Sequence, residues 1–170
     1  MQREKIKKLF NSYKICGILA PGRIKEVKSV NITTKGRYAL RVMIDLAQHQ
    51  EEGFVSLKTV AERQSISMKY LEMIVAGLKK AELLESSRGK EGGYRLGRSP
   101  ADYSVGEILR CQEDNLAPVS CIRDGEIQCD KAAACVTIPM WKELDDITNA
   151  YLDSVSLEDL LTGEKWKAKT

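Results

Sequence analysis

The stretch SLKTVAERQSISMKYLEMIVAGLKKAELLESSRGKEGGYRLG, residues 56–97, carries two helical patterns followed by two short extended ones. Ser56 is suited to cap SLKTVAERQ, SIS forms a turn, and Ser67 is suited to cap SMKYLEMIVAGLKKAELL, whose apolar positions 71, 74, 75, 78 and 83 recur at helical spacing. Two helices linked this closely make a helix-turn-helix. In LLESSRGKEGGYRLG two extended runs are joined by RGKEGG, where the glycines permit positive backbone angles and basic residues stand at the tip. A helix-turn-helix followed by a basic β-hairpin is a winged helix.

On the N-terminal side, TTKGRYALRVMIDLAQHQ (33–50) has apolar residues at 39, 40, 43, 44, 46 and 47, a helical stripe with Lys35, Arg37 and Arg41 near its start. Beyond the wing, SVGE (104–107) reads as a capping box opening a short helix, and residues 112–135 lack periodicity. From Val136 to about Ser154 a longer helix is expected, with Ile138, Trp141, Leu144, Ile147 and Tyr151 on one face and Lys142, Glu143, Asp145 and Asp146 on the other. So long an amphipathic helix after a small winged domain is read as a dimerisation helix. SLEDLL (156–161) offers a last short helix. The expected fold is mainly α with a small β-hairpin: a winged helix-turn-helix DNA-binding domain at 30–100, and a short helix with a cysteine-bearing loop at 101–135. The dimerisation helix and terminal short helix follow at 136–162, with a tail at 163–170.

The 170 residues suit one domain with an appendage, and 43% hydrophobic residues can bury an ordinary core. No apolar run reaches the roughly 18 residues of a membrane span, and no secretory signal is evident, so a cytoplasmic protein is expected. The net charge of +3 conceals a polarised chain. Residues 1–30 hold eight Lys/Arg against two acidic residues, residues 58–98 nine against five, and residues 101–164 four against fourteen. Cations gathered in one segment point to phosphate neutralisation, and hence to a nucleic-acid-binding half joined to a part with another task.

That other part contains SCIRDGEIQCDKAAACVTIPMW (120–141), which places Cys121, Cys129 and Cys135 close together in a chain with one histidine. In a reducing compartment such a cluster is a metal site, a redox sensor or chance rather than a disulfide framework. Intervals of seven and five residues differ from the two-residue knuckle of structural zinc sites, which weakens zinc. An enzyme is weaker still, since no Cys–His pair, carboxylate dyad or phosphate loop can be placed.

TTKGRYALRVMIDLA, SLKTVAERQSISMKYLE, RGKEGGYRLGRSP and three cysteines ahead of a tryptophan-bearing helix resemble, in order and spacing, the IscR-like regulators of the Rrf2 family. The resemblance covers residues 32–161. It implies a homodimeric bacterial transcriptional regulator, acting as a repressor on a palindromic double-stranded operator. In many members such a regulator carries a 2Fe–2S cluster that reports iron–sulfur or redox status. The alternative is a cluster-free member that responds to thiol oxidation or to a metabolic enzyme partner of cysteine metabolism.

Carried over position by position, Ser67, Lys69, Tyr70 and Glu72 fall on the first turns of the recognition helix, which faces base edges. A carboxylate repels phosphate, so Glu72 is useful there chiefly for accepting from cytosine or rejecting wrong bases. Met73 stands where related cluster-binding regulators can have a glutamine. Arg88 matches the wing arginine that enters the minor groove, and Lys35, Arg37, Lys58 and Lys90 are expected phosphate contacts. By the same resemblance Cys121, Cys129 and Cys135 are the cluster ligands. The fourth ligand is not evident: the position used by a histidine in some relatives is Ile138, and the position used by a partner's acidic residue in others is Arg37. Cys111, Asp130, Glu126 or a group from the other subunit are the candidates, and a labile cluster is expected. Residues 1–29 have no counterpart in the resemblance. They are read either as mistranslated upstream sequence ahead of a start at Val30, which would make Cys16 irrelevant, or as a basic arm that grips DNA.

Overall fold

The computed structural model describes residues 32–89 and 91–167. The expectations for residues 1–29, Cys16 and Lys90 lie outside these. Helix α1 (Thr34–Gln48) opens on Thr33, whose side chain accepts from the backbone N–H groups of Lys35 and Gly36. Its inward face buries Ala39, Val42, Met43, Leu46 and Ala47, and also Asp45, which is 1% exposed. A buried carboxylate must be paired, and Asp45 is. Arg63 Nη2 donates to Asp45 Oδ2 at 2.9 Å and Gln64 Nε2 to Oδ1 at 2.8 Å, which clamps α1 to α2 (Leu57–Gln64).

Ser56 caps α2 by accepting from Thr59 N–H, as its position predicts, and Ser65 ends the helix in the left-handed region at φ 54°. The turn drops Ile66 into the core and leads to Ser67 and α3 (Met68–Lys80). Leu71, Ile74, Val75 and Leu78 of α3 are buried against α1 and α2. After α3, Leu83 N–H donates back to Leu78 O at 3.0 Å and the chain enters the wing. Strands β1 (Leu84–Ser87) and β2 (Gly93–Leu96) pair antiparallel, Leu84 opposite Leu96 and Ser87 opposite Gly93. Val55 extends this hairpin by exchanging two backbone hydrogen bonds with Tyr94, at 2.9 and 2.8 Å. Close approach makes position 93 a glycine: a Cβ there would stand 2.2 Å from Val55 O.

The wing is anchored from below by Tyr103, which is fully buried. Its hydroxyl donates to Leu83 O at 2.9 Å and accepts from Gly97 N–H at 2.9 Å and Arg98 N–H at 3.0 Å. Helix α4 (Val105–Arg110) follows, capped by Ser104 accepting from Glu107 N–H. The expected capping box is only half formed, because the Glu107 carboxylate turns instead to Arg98 Nη2 at 2.8 Å. The chain then makes a small hairpin, β3 (Ile122–Arg123) with β4 (Glu126–Ile127), and a single 3-10 turn at Ala132–Ala134 before α5 (Ile138–Asp153). Helix α6 (Leu157–Thr162) has a complete capping box between Ser156 and Asp159. It returns to the winged domain, where Leu157 is fully buried and its N–H donates to Tyr103 O at 2.9 Å. Within the span read as a tail, α7 (Glu164–Lys167) adds one short turn of helix.

Helix α5 corrects the expected apolar face. Ile138 is 8% exposed in a small core with Ala117 and Ile122, and Trp141 packs against that core, whereas Leu144, Ile147 and Tyr151 are 41%, 59% and 51% exposed. Steps of three residues fall about 60° behind a full helical turn, so the five positions drift around the helix instead of keeping one side. The outward stripe is Met140, Leu144, Ile147 and Tyr151, and Asp145 shares the inward side with Ile138 and Trp141.

Replacing Tyr103 with phenylalanine keeps the ring and leaves Leu83 O, Gly97 N–H and Arg98 N–H without their common partner. Urea denaturation should then report a loss of about 1–3 kcal/mol in unfolding free energy, the cost of buried groups left unpaired.

Candidate nucleic-acid interface and cysteine loop

On α3 the inward residues are buried while Ser67, Met68, Lys69, Glu72 and Met73 are exposed on the opposite side. Ser67 occupies the N-cap position, yet its side chain caps nothing and is left facing outward. Tyr70 is half-buried and meets the edge of the Tyr38 ring with centroids 5.9 Å apart, while the Arg41 guanidinium lies 5.1 Å from the Tyr38 ring centre. Arg41 also donates to Gln64 O at 2.7 Å and to Gln64 Oε1 at 3.1 Å, so it braces the turn of the helix-turn-helix from α1. Nothing in its local sequence distinguishes Arg41 from the other cations near the start of α1.

Lys35 is half-buried on the first turn of α1 and Arg37 is exposed there, its Nη2 donating to Thr34 Oγ1 at 3.1 Å. Lys58 is exposed on α2. In the wing the arginines divide by task. Arg95 pairs with Glu85 at 2.7 Å and stacks 4.6 Å from the Phe54 ring centre, and Arg98 pairs with Glu107 and lies over Tyr103. The glutamate beside Arg98 raises its already high pKa and keeps it charged. Arg88 stands exposed beyond β1, on the tip.

Cys121, Cys129 and Cys135 are all half-buried, Cys121 just before β3 and the other two between β4 and the start of α5. Cys121 and Cys135 pack against the small core of Ala117, Ile122 and Ile138. Burial pushes the Cys121 thiol up, and the neighbouring Cys129 and Cys135 add to this; the Thr137 hydroxyl, 3.3 Å from Cys135 Sγ, pulls that thiol down. Among the described residues no three Cys, His, Asp or Glu side chains converge closely enough to hold a metal ion. The donor set nonetheless fits a thiophilic centre in kind, with three soft thiols on one short irregular segment. The fourth place has no imidazole near it. Ile138 fills the small core and Arg37 is on α1. Cys111 lies elsewhere, against the main core, donating to Ile108 O at 3.1 Å with its thiol raised by burial.

Between α4, the hairpin turn and α5 is a cleft of about 370 Å³ lined by Glu113, Asp114, Asp124, Asp145, Asp146 and Asp153 together with Arg110. Arg110 pairs with Asp153 across it. Asp145 is 1% exposed, burial raises its pKa, and its Oδ2 has no hydrogen-bond partner among the described residues. Six carboxylates of the acidic half thus line one cleft. Among the described residues no helix is long and apolar enough to cross a membrane.

A family model described as an iron-dependent transcriptional regulator, Rrf2, matches residues 32–163. The HTH-type transcriptional regulator IscR of Aliivibrio salmonicida is 38% identical over 132 residues, 78% of this chain and 77% of that protein. Among solved structures, CymR, described as the global cysteine regulator of B. subtilis, superposes with a TM-score of 0.62 at 39% identity, covering 78% of this chain and 96% of that one. The T. potens IscR structure gives a TM-score of 0.62 at 39% identity over 81% of this chain and 90% of that one. A helix-turn-helix, a β-hairpin wing and a match to winged-helix regulators over about four fifths of the chain lead to one conclusion: the chain belongs to the Rrf2 family of transcriptional regulators.

Proposed function

We propose that this protein is a cytoplasmic, homodimeric repressor that reads a palindromic operator and adjusts its DNA affinity to iron–sulfur or redox status through Cys121, Cys129 and Cys135. The observation that carries the sensing role is the gathering of three half-buried thiols on one irregular segment between the winged domain and α5. These thiolates would hold a 2Fe–2S cluster, and a cluster supplies a link across the segment that forms or is lost with iron supply and oxidation. What the chain contributes is a loop that can order or relax. With only three donors from one chain, the cluster is labile, and a neighbouring carboxylate or a group of the second subunit completes it.

DNA reading is assigned to α3 and the wing. Ser67, Lys69, Tyr70 and Glu72 address base edges, Arg88 enters the minor groove, and Lys35, Arg37, Lys58 and Lys90 hold phosphates. The exposed stripe Met140, Leu144, Ile147 and Tyr151 on α5 is the face that meets the second subunit, Ile138 and Trp141 supporting it from inside. A second reading, thiol sensing without a cluster, is favoured by the Thr137 hydroxyl, which draws the Cys135 thiol down from its ordinary value, and by the 39% identity to CymR, described as a cysteine regulator.

Anaerobic purification followed by iron, sulfide and visible-absorption assays tests the first reading. About two irons and two sulfides per chain are expected for 2Fe–2S occupancy. Serine at any of the three cysteines should abolish the chromophore and serine at Cys111 should keep it. A colourless, iron-free anaerobic protein leaves thiol sensing in its place. Glu72→Ala should relax discrimination at one or two base pairs by about 1–3 kcal/mol each, with non-specific binding little changed, as read in a randomised-operator selection. Ile147→Lys, placed where the side chain is 59% exposed and folding does not need it, should turn a dimer into a monomer in sedimentation. A persistent dimer moves the interface off α5.

A further inference from the structure

Two consecutive residues at the root of the cysteine-bearing segment reach into both outer helices of the winged domain. Gln112 is 7% exposed, and its Nε2 donates to the carbonyl of Ile74, in the middle of α3, at 3.1 Å. The same nitrogen lies 3.3 Å from Cys111 Sγ, and Oε1 of Gln112 is buried with no hydrogen-bond partner among the described residues. Glu113 turns the other way. Its Oε1 accepts from Thr33 N–H at 2.8 Å and from the Thr33 hydroxyl at 2.9 Å, at the start of α1.

Each contact is matched by a glycine in the helix it touches. A Cβ at Gly77 of α3 would stand 2.7 Å from Gln112 Nε2, and a Cβ at Gly36 of α1 would stand 2.3 Å from Glu113 Oε1. Glycine weakens a helix relative to alanine, and both lie inside helices with φ in the ordinary helical range, so left-handed backbone is not the reason for either. What both positions share is room for a side chain of the 112–113 pair. A mid-helix carbonyl has a second lone pair to offer while it keeps its own helical hydrogen bond, and Gln112 uses it as a fixed point on the buried side of α3. Ile74 lies two residues beyond Glu72 on that helix, so a change of angle or axial place at Ile74 moves the outward residues with it.

We propose that Gln112 and Glu113 are positioning residues for DNA recognition, setting the rotation of α3 and the seat of α1 from the stem of the cysteine loop. The proposal rests on the DNA-reading role given above to α3, and it needs no bound cluster.

The test uses the full chain, metal-free and reduced, at one salt concentration. A duplex is selected from a random library by the unaltered protein, and Kd values for it and for an unrelated duplex of equal length are measured for Gln112→Met, Glu113→Gln and Gly77→Ala. Urea unfolding is recorded for each. Gln112→Met retains length and loses the donor. Gly77→Ala retains Gln112 and displaces its amide, and serves if the methionine variant does not fold. We expect the preference for the selected duplex to fall at least tenfold in Gln112→Met and in Gly77→Ala, and less in Glu113→Gln. Binding to unrelated DNA should stay within twofold, because the phosphate contact assigned to Lys58 and the minor-groove contact assigned to Arg88 are untouched. The double variant Gly77→Ala/Gln112→Met should be no worse than either alone, a non-additivity that general destabilisation would not produce. Unchanged preference in folded variants, or parallel losses on both duplexes, overturns the proposal. An unaltered protein that selects no duplex overturns the DNA reading and this proposal together.

Discussion

The buried hydroxyl of Tyr103 holds the two ends of the wing at one point. Leu83 precedes β1 and Gly97–Arg98 follow β2, and all three backbone groups meet the same oxygen within 3.0 Å. A two-stranded hairpin is marginal in water by itself. Here it is closed at the base by Tyr103, braced at the side by Val55 and loaded above by the Arg98 guanidinium stacked on the Tyr103 ring. The backbone of Tyr103 in turn receives Leu157, so the helix that follows α5 is tied to the same point. The wing tip, and Arg88 on it, inherit their position relative to α3 from this arrangement.

The charge polarity of the chain acquires a spatial meaning in the fold. Lys58, Lys69 and Arg88 stand outward on the winged domain, while Arg95 and Arg98 are spent on Glu85 and Glu107. Six carboxylates of the second half line a cleft between α4, the hairpin turn and α5. Phosphate and these carboxylates repel each other, in keeping with the proposed docking of DNA by the wing and α3. Asp145, buried in that cleft beneath the α5 stripe, is the least satisfied acid among the described residues and raises the cost of burying α5.

Much of the architecture was legible because it rests on local chemistry. Ser56 and Ser156 cap where their positions require, the apolar spacing of α1 and α3 marks their buried faces, and RGKEGG marks the wing. The β3–β4 hairpin also has a local signal, masked by the lack of periodicity over 112–135: Asp124-Gly125, both at positive φ, joins Ile122–Arg123 to Glu126–Ile127 as a two-residue turn. The rest depended on partners distant in the chain. Glu107 is drawn from its capping role by Arg98, Ile138 is turned inward by Ala117 and Ile122, and Asp45 looks like a polar break in an apolar stripe until Arg63 and Gln64 meet it. The cysteines were legible as a group, but their mutual arrangement and their fourth companion are not local properties. Thr137 beside Cys135 and the apolar floor under Cys121 appear only in the fold.

One comparison bears most directly on the claim that a DNA-reading winged domain is governed by its cysteine segment. Anaerobic protein with bound cluster and the same protein stripped of metal would each be used to select duplexes from one random library, at the same salt concentration. Two-fold symmetric sequences should be enriched, with half-sites spaced by about one helical turn, and the degree of enrichment should differ between the two forms. Identical selections from both forms, or selections without symmetry, would contradict the account.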